Sequence, residues 1–437
     1  MSASRQLAEY LASARYEHLP PAIVEDTRRA VLDWLGSALA GSLEPPARMI
    51  QRICLGASNE ATVFSSTRAS APAAALQNGV ASHILEFDDV HKGSTLHAAA
   101  PVIPAALAVA EREHSTGRDF LLAVALGYEA AFRIGEAVNP SHYRHWHPTG
   151  TVATFGAAAA AGSLVQLVAA QMLDALGSAG TQAAGLWEFN ADGAMSKHLH
   201  PGKAAFNGIL SADLARIGFT GATRILEGDR GFFAATSTAH DASKVTHGLG
   251  QVWKIAENCY KMHSCCGHTH TAIDVALDLR QRIGHREIAA IEIETYGPGY
   301  EIVKEMNPQT PYQAKFSIAY CVAAALTEGR AGLEQFSADR TALLSKTRVR
   351  VADDLTAKYP AAWPVRVNIT LGDGAVLRGA SDYPRGNPEN PVSTPQLEEK
   401  FVSLVEPRFG DVTAQHALGV IHSLQNIEDM AAAFSHL

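Results

Sequence analysis

The 437 residues are 47% hydrophobic and 18% charged, with 36 Lys and Arg against 44 Asp and Glu and a formal net charge of −8. This is enough chain for two or three domains with ample core. The acidic balance and the lack of any basic, aromatic-laced block argue against nucleic acid as a partner, and no stretch of about 18–20 residues is apolar enough to span a bilayer.

Residues 3–15 and 21–41 read as helices. The first carries charges along its length and lacks the unbroken apolar run of a secretory leader. The five cysteines, Cys54, Cys259, Cys265, Cys266 and Cys321, are an odd number. Together these features predict reduced thiols and a cytoplasmic location. In 21–41 the residues Ile23, Thr27, Ala30, Val31, Trp34, Leu35 and Ala38 recur at helical spacing, with Gly41 as the stop. Thr62–Ser65 is expected as a short strand and 71–85 as a helix. That helix runs into Glu86-Phe87-Asp88-Asp89, whose three carboxylates are costly to bury unless paired. Lys197 is a sensible partner for one of them.

Helices are expected at about 100–113, 117–138, 149–168 and 169–183, with 184–196 irregular. The stretch Ser141–Gly162 joins a ring-rich first half (His142, Tyr143, Arg144, His145, Trp146, His147) to Pro148-Thr149-Gly150 and a run of small apolar residues. Proline and a possible Thr149 N-cap place a helix start there, with His147 at its mouth. A helix start suits a carboxylate ligand, and histidine exchanges protons near neutral pH. His97, His200 and His270 likewise each precede an apolar helical pattern. Lys197-His198-Leu199-His200-Pro201-Gly202-Lys203 is expected as a loop dense in proton-transfer groups leading into the next helix. Four histidines placed alike, with Lys197 and the acidic cluster, point to one pocket for an anionic substrate.

From about residue 260 the character changes. Residues 288–295, 347–351 and 365–371 alternate like half-buried strands, and Gly372-Asp373-Gly374 signals a hairpin into 375–380. Helices at about 271–283, 312–327 and 333–344 intervene, which makes an α+β domain. A Pro/Gly/Asn-rich hinge at 386–391 precedes a return to helix from Thr394. The fold class is therefore mainly α: an all-helical domain over 1–258, completed by 395–437, and a smaller α+β domain over 259–394.

Metal chemistry has little support in the motifs. His263, Cys265, Cys266, His268 and His270 lie within eight residues, yet no C-x₂-C pair stands at zinc-finger distance. There is no nucleophile elbow, P-loop, HExxH or dinucleotide fingerprint after a strand. What remains is acid–base chemistry without a cofactor. Abstraction of a proton α to a carboxylate needs cationic groups to stabilise the developing enediolate.

Several stretches together resemble the MmgE/PrpD family. They are FDD at 87–89 followed by His97, WHPTGTVATFGAAAAAG, MSKHLHPGKAAFNGILSADLA, GFTGATRILEGDRGFF, CCGHTHTAID, AKFSIAY at 314–320 and GNPENPVSTPQLEEKF. The resemblance runs in order to about residue 401. It implies a large helical domain and a smaller α+β lid, a homodimer, no metal, and a small di- or tricarboxylate substrate. It also implies a cleft lined by Glu86–Asp89, His97, His147, Lys197 and His270, with Tyr143 and Tyr320 similar to family tyrosines. Two positions depart from the pattern: Glu86 stands where Asp is common, and the segment between Asp89 and His97 lacks the tryptophan of the dehydratases.

The expected activity is that of a dehydratase-like lyase, with decarboxylation and epimerisation of an iminodisuccinate-like acid as alternatives, and a non-catalytic metabolite- or metal-binding protein as the alternative of another class. The expected catalytic set is Lys197, His147, His97, Asp89 and Tyr143. The expected substrate-binding set is Glu86, Asp88, His200, Lys203, His268, His270 and Tyr320.

Overall fold

The computed structural model describes residues 2–53 and 57–437, so Cys54 lies outside the described residues. The chain forms two compact units. The first comprises Met1–Ile84, Asp88–Asn258 and Ser393–Leu437; the second comprises Leu85–Phe87 and Cys259–Val392. Among the described residues no helix is long and apolar enough to cross a membrane.

The first unit is built on helices α1 (Ala3–Ser13), α2 (Pro21–Gly41), α3 (Ala71–His83), α4 (Ala99–Arg112), α5 (Gly117–Val138), α6 (Val152–Leu164), α7 (Ala169–Gly180) and α8 (Ser196–Arg216). The small residues of α6 are buried almost all round, as befits a central helix rather than an amphipathic surface one. It packs on α5, and α3 packs on α8. The second pairing is close because both sides carry glycine. A Cβ on Gly79 would lie 2.8 Å from the Gly202 Cα. That contact is about one turn from His83 on α3 and from His198 on α8, so it draws the functional ends of the two helices together. The helix Thr394–Phe409 returns to pack on α2, where Lys400 donates to the Asp33 carboxylate at 2.6 Å with both side chains buried.

Three local expectations change. Thr62–Ser65 is not a strand; the short strand is Ala57–Ala61. The backbone at 62–64 is satisfied by side chains instead: Thr62 N–H donates to Glu111, Phe64 N–H to Asn78, and Asn78 donates back to the Thr62 carbonyl. The basic stretch 197–203 lies inside α8, with Pro201 in its second turn. Thr149 does not cap α6, which begins at Val152; its hydroxyl accepts the His97 N–H at 3.2 Å.

The second unit holds α9 (His270–Ile283), α10 (Ile318–Glu328) and strands β1 (Ile288–Thr295), β2 (Thr347–Val351), β3 (Val365–Leu371) and β4 (Val376–Ser381). The sheet order is β2-β1-β3-β4, with β1 parallel to β2 and the other pairings antiparallel. Val365, Val367, Ile369 and Leu371 alternate into the core of this unit beside α9 and α10. The expected helix 312–327 is broken into Pro311–Ala314 and α10, because the Ser317 hydroxyl caps α10 at the Tyr320 N–H. The expected helix 333–344 is a 3-10 turn and one short helical turn.

Candidate active site

In the first unit the chain between α3 and α4 brings carboxylates to imidazoles. His83, the last residue of α3, donates from Nδ1 to Asp88 Oδ2 at 2.7 Å, and both side chains are fully buried. The same oxygen lies 3.6 Å from His97 Nδ1. His97 Nδ1 is hydrogen-bonded to the Asp89 carbonyl at 2.5 Å. A carbonyl only accepts, so Nδ1 of His97 carries a proton. His83 Nδ1 likewise carries the proton it shares with the Asp88 carboxylate.

Asp89 has a different part. Its Oδ1 accepts the Ala99 N–H at 3.1 Å at the start of α4, and its Oδ2 accepts the Tyr128 hydroxyl at 2.6 Å. Burial pushes its carboxyl up to about 7, opposed by the Tyr128 bond and reinforced by Asp88. These bonds tie Asp89 to the start of α4 and to Tyr128.

His147 lies on the turn before α6, where its N–H donates to the Gly185 carbonyl at 3.0 Å. Its ring stacks on His83 at 5.6 Å between centroids and is flanked by Trp187 at 4.9 Å and Phe189 at 5.6 Å. Its Nδ1 is 3.0 Å from His200 Nδ1. Burial, with help from His83, His200, Lys197 and His97, holds the His147 pKa well below the usual imidazole range. His200 is pushed down to about 4 by burial first, then by His83 and Lys197. Both rings are thus neutral at pH 7. One Nδ1 donates to the other, and the two rings are opposite tautomers.

Lys197 is buried in the first turn of α8, and its charge is felt at both His147 and His200. Residues 197 and 200 share a face of α8. Lys203 lies about 120° around the helix from Lys197. It is exposed and bonds Asn207 at 3.0 Å, so it stands apart from this group. Tyr143 packs edge-on against Trp187 at 4.9 Å, one ring removed from His147.

In the second unit the expected residues are spread among separate partners. Glu86, buried and in a left-handed backbone conformation (φ 57°), pairs with Lys261 at 3.6 Å. His263 bonds Asp274 at 2.9 Å. His268 Nδ1 meets the Tyr296 hydroxyl at 2.5 Å, with Trp363 against its ring at 4.6 Å. His270 approaches the Cys265 carbonyl at 3.3 Å and the His263 ring at 5.0 Å. Burial lowers the pKa of His268 to about 3 and lowers that of His270. Tyr320 belongs to the apolar core of this unit. Its hydroxyl donates to the carbonyls of Ala338 and Gln335 at 2.7 and 3.0 Å, which commits it to structure rather than to a ligand.

Sequence reading missed His83, Trp187, Phe189 and Lys261. The available signal for His83 was a histidine in the last turn of a helix, five residues before Asp88. Nothing in the pattern marked Trp187 or Phe189, which come from the irregular segment.

The first unit thus carries a buried group of imidazoles, one lysine and a carboxylate of the kind that moves protons beside an anionic substrate. The chain matches the MmgE/PrpD N-terminal domain over residues 5–244 and the MmgE/PrpD C-terminal domain over residues 263–426. It belongs to the MmgE/PrpD family. It is 26% identical to a cis-aconitate decarboxylase-like protein of Aspergillus oryzae, over 98% of this chain and 95% of that protein. It is also 26% identical to the cis-aconitate decarboxylase of Homo sapiens, over 98% and 93%, and 25% identical to that of Aspergillus terreus, over 96% and 91%. These relatives, and the helical fold with its small mixed sheet, support an enzyme of the lyase type.

Proposed function

We propose that the protein is a cofactor-independent lyase that removes CO₂ from a small tricarboxylate of the cis-aconitate kind, acting in the cytoplasm as a homodimer. The observation that supports this most is the buried group formed by His83, Asp88, His97, His147, His200 and Lys197. Loss of CO₂ leaves an electron pair on carbon, which a neighbouring carboxylate or alkene delocalises. A buried ammonium beside it stabilises the negative charge far better than water would. Lys197 is that group. A proton must then reach carbon, and Lys197 delivers it. His97, one of the expected catalytic set, acts as the proton acceptor only in the second reading below, since decarboxylation takes no proton from the substrate. Asp88 orients His83 and His97.

Dehydration of a hydroxy-tricarboxylate is the second reading. It is favoured by His97 as proton acceptor, since abstraction of an α proton begins that reaction.

The test is proton NMR in D₂O with cis-aconitate, 2-methylcitrate, citrate and iminodisuccinate. Loss of one carboxyl group from cis-aconitate is the expected result. New alkene signals from 2-methylcitrate would move the assignment to a dehydratase, and deuterium entering an unchanged skeleton would make it an epimerase. Lys197→Ala should lose at least a hundredfold in kcat with unchanged circular dichroism. Near-normal turnover would remove Lys197 from the chemistry.

A further inference from the structure

One nitrogen from each of His83, His97 and His147 lies within 4.8 Å of the other two. Their Nδ1 atoms are engaged: His83 with Asp88, His97 with the Asp89 carbonyl, and His147 with His200. A ring whose Nδ1–H faces an acceptor can coordinate a cation only through Nε2. His83 Nε2 and His147 Nε2 are buried without a hydrogen-bond partner among the described residues. Buried ring nitrogens of this kind are expensive to leave unmet. A carboxylate or carbonyl behind each imidazole is also the usual support of a metal-ligating histidine, because it fixes the tautomer and raises the basicity of the far nitrogen.

We propose that His83, His97 and His147 form a binding site for a borderline-soft divalent cation, Zn²⁺ above all, through one ring nitrogen from each. Zinc takes imidazole nitrogens at about 2.0–2.1 Å, so a tetrahedral site needs nitrogens roughly 3.4 Å apart. One nitrogen of each ring lies within 4.8 Å of the other two, so reaching that spacing takes an approach of about 1.4 Å or less. Asp88 supplies compensating negative charge one bond behind His83. Lys197 opposes the ion, so the site binds zinc less tightly than a dedicated zinc enzyme does. Among the described residues the other compact group of ligand-type side chains, His91, Glu136 and Glu257, differs in one respect. The Lys254 ammonium already lies 3.0 and 2.9 Å from its two carboxylates and needs no ion there. No spacing motif announces the triad, since its ligands come from the end of α3, the loop before α4 and the turn before α6.

Binding stands on the geometry alone; its consequence, inhibition of turnover, rests on the lyase reading. The experiment therefore measures binding without substrate. The full chain is freed of metal with a chelator and titrated with ZnCl₂ in a calorimeter. One equivalent per chain is expected, weakened at least tenfold in both His83→Gln and His147→Gln. In parallel, X-ray absorption on the zinc-loaded unmutated protein should show three imidazole nitrogens at about 2.0 Å, a readout that survives if a variant fails to fold. Absence of saturable binding, affinity unchanged in both variants, or sulfur in the coordination shell would overturn the proposal.

Discussion

Replacing Asp88 by Asn keeps the shape of the side chain and removes its charge. The bond it alters joins Oδ2 to His83 Nδ1 at 2.7 Å, with both groups fully buried, and the same oxygen lies 3.6 Å from His97 Nδ1. A hydrogen bond to a charged group contributes about 1.5–3 kcal/mol and a neutral one about 0.5–1.5 kcal/mol. The substitution therefore loses about 1–1.5 kcal/mol at His83, or roughly tenfold in rate if that orientation is needed in the transition state. An Asn that turns its amide nitrogen toward His83 would force the other tautomer and lower the rate further. Asp88→Ala leaves the buried Nδ1–H without an acceptor and should cost about 1–3 kcal/mol of stability as well. The assay is kcat at saturating acid, read as CO₂ release, beside urea unfolding of each variant. Asp88→Asn with the turnover of the unmodified protein, alongside a destabilised Asp88→Ala, would show that Asp88 only holds the fold, and the reasoning would be refuted.

Lys400→Met removes the ammonium that bonds the buried Asp33 carboxylate and should cost about 3–5 kcal/mol in urea unfolding; a loss below 1 kcal/mol would contradict this. Glu111 is held by burial at a pKa of about 7, above its usual 4.5. A raised carboxyl pKa favours the folded state fully below pH 4.5 and loses that advantage as pH rises through 7. The stability of the natural protein relative to Glu111→Gln should therefore fall by about 3 kcal/mol between pH 4.5 and 8, and parallel curves would disprove it. Tyr320→Phe should keep kcat within about twofold while losing about 1–3 kcal/mol of stability, since it removes the hydroxyl that bonds the Ala338 and Gln335 carbonyls; a large fall in kcat would return Tyr320 to the site.

Local chemistry made much of this protein legible from its sequence. The apolar periodicity of residues 21–41, the alternation of 365–371 and the Gly372-Asp373-Gly374 turn depend on neighbours a few positions away, and the corresponding helix, strand and hairpin form. The histidines, Lys197 and the acidic run stood out because such groups are costly to bury without a purpose. Tertiary structure decided which of them work together. Helical phase turned Lys203 outward while leaving Lys197 and His200 on one face. Partners far along the chain committed Asp89 to Tyr128 and the start of α4, and took the 62–64 backbone from a strand to Asn78 and Glu111. His83 gained its place only because the glycines of α3 and α8 let two backbones touch near it. Spacing in sequence carries the period of a helix or strand, but the meeting of imidazoles from three separate segments is set by packing, which no short window of residues contains.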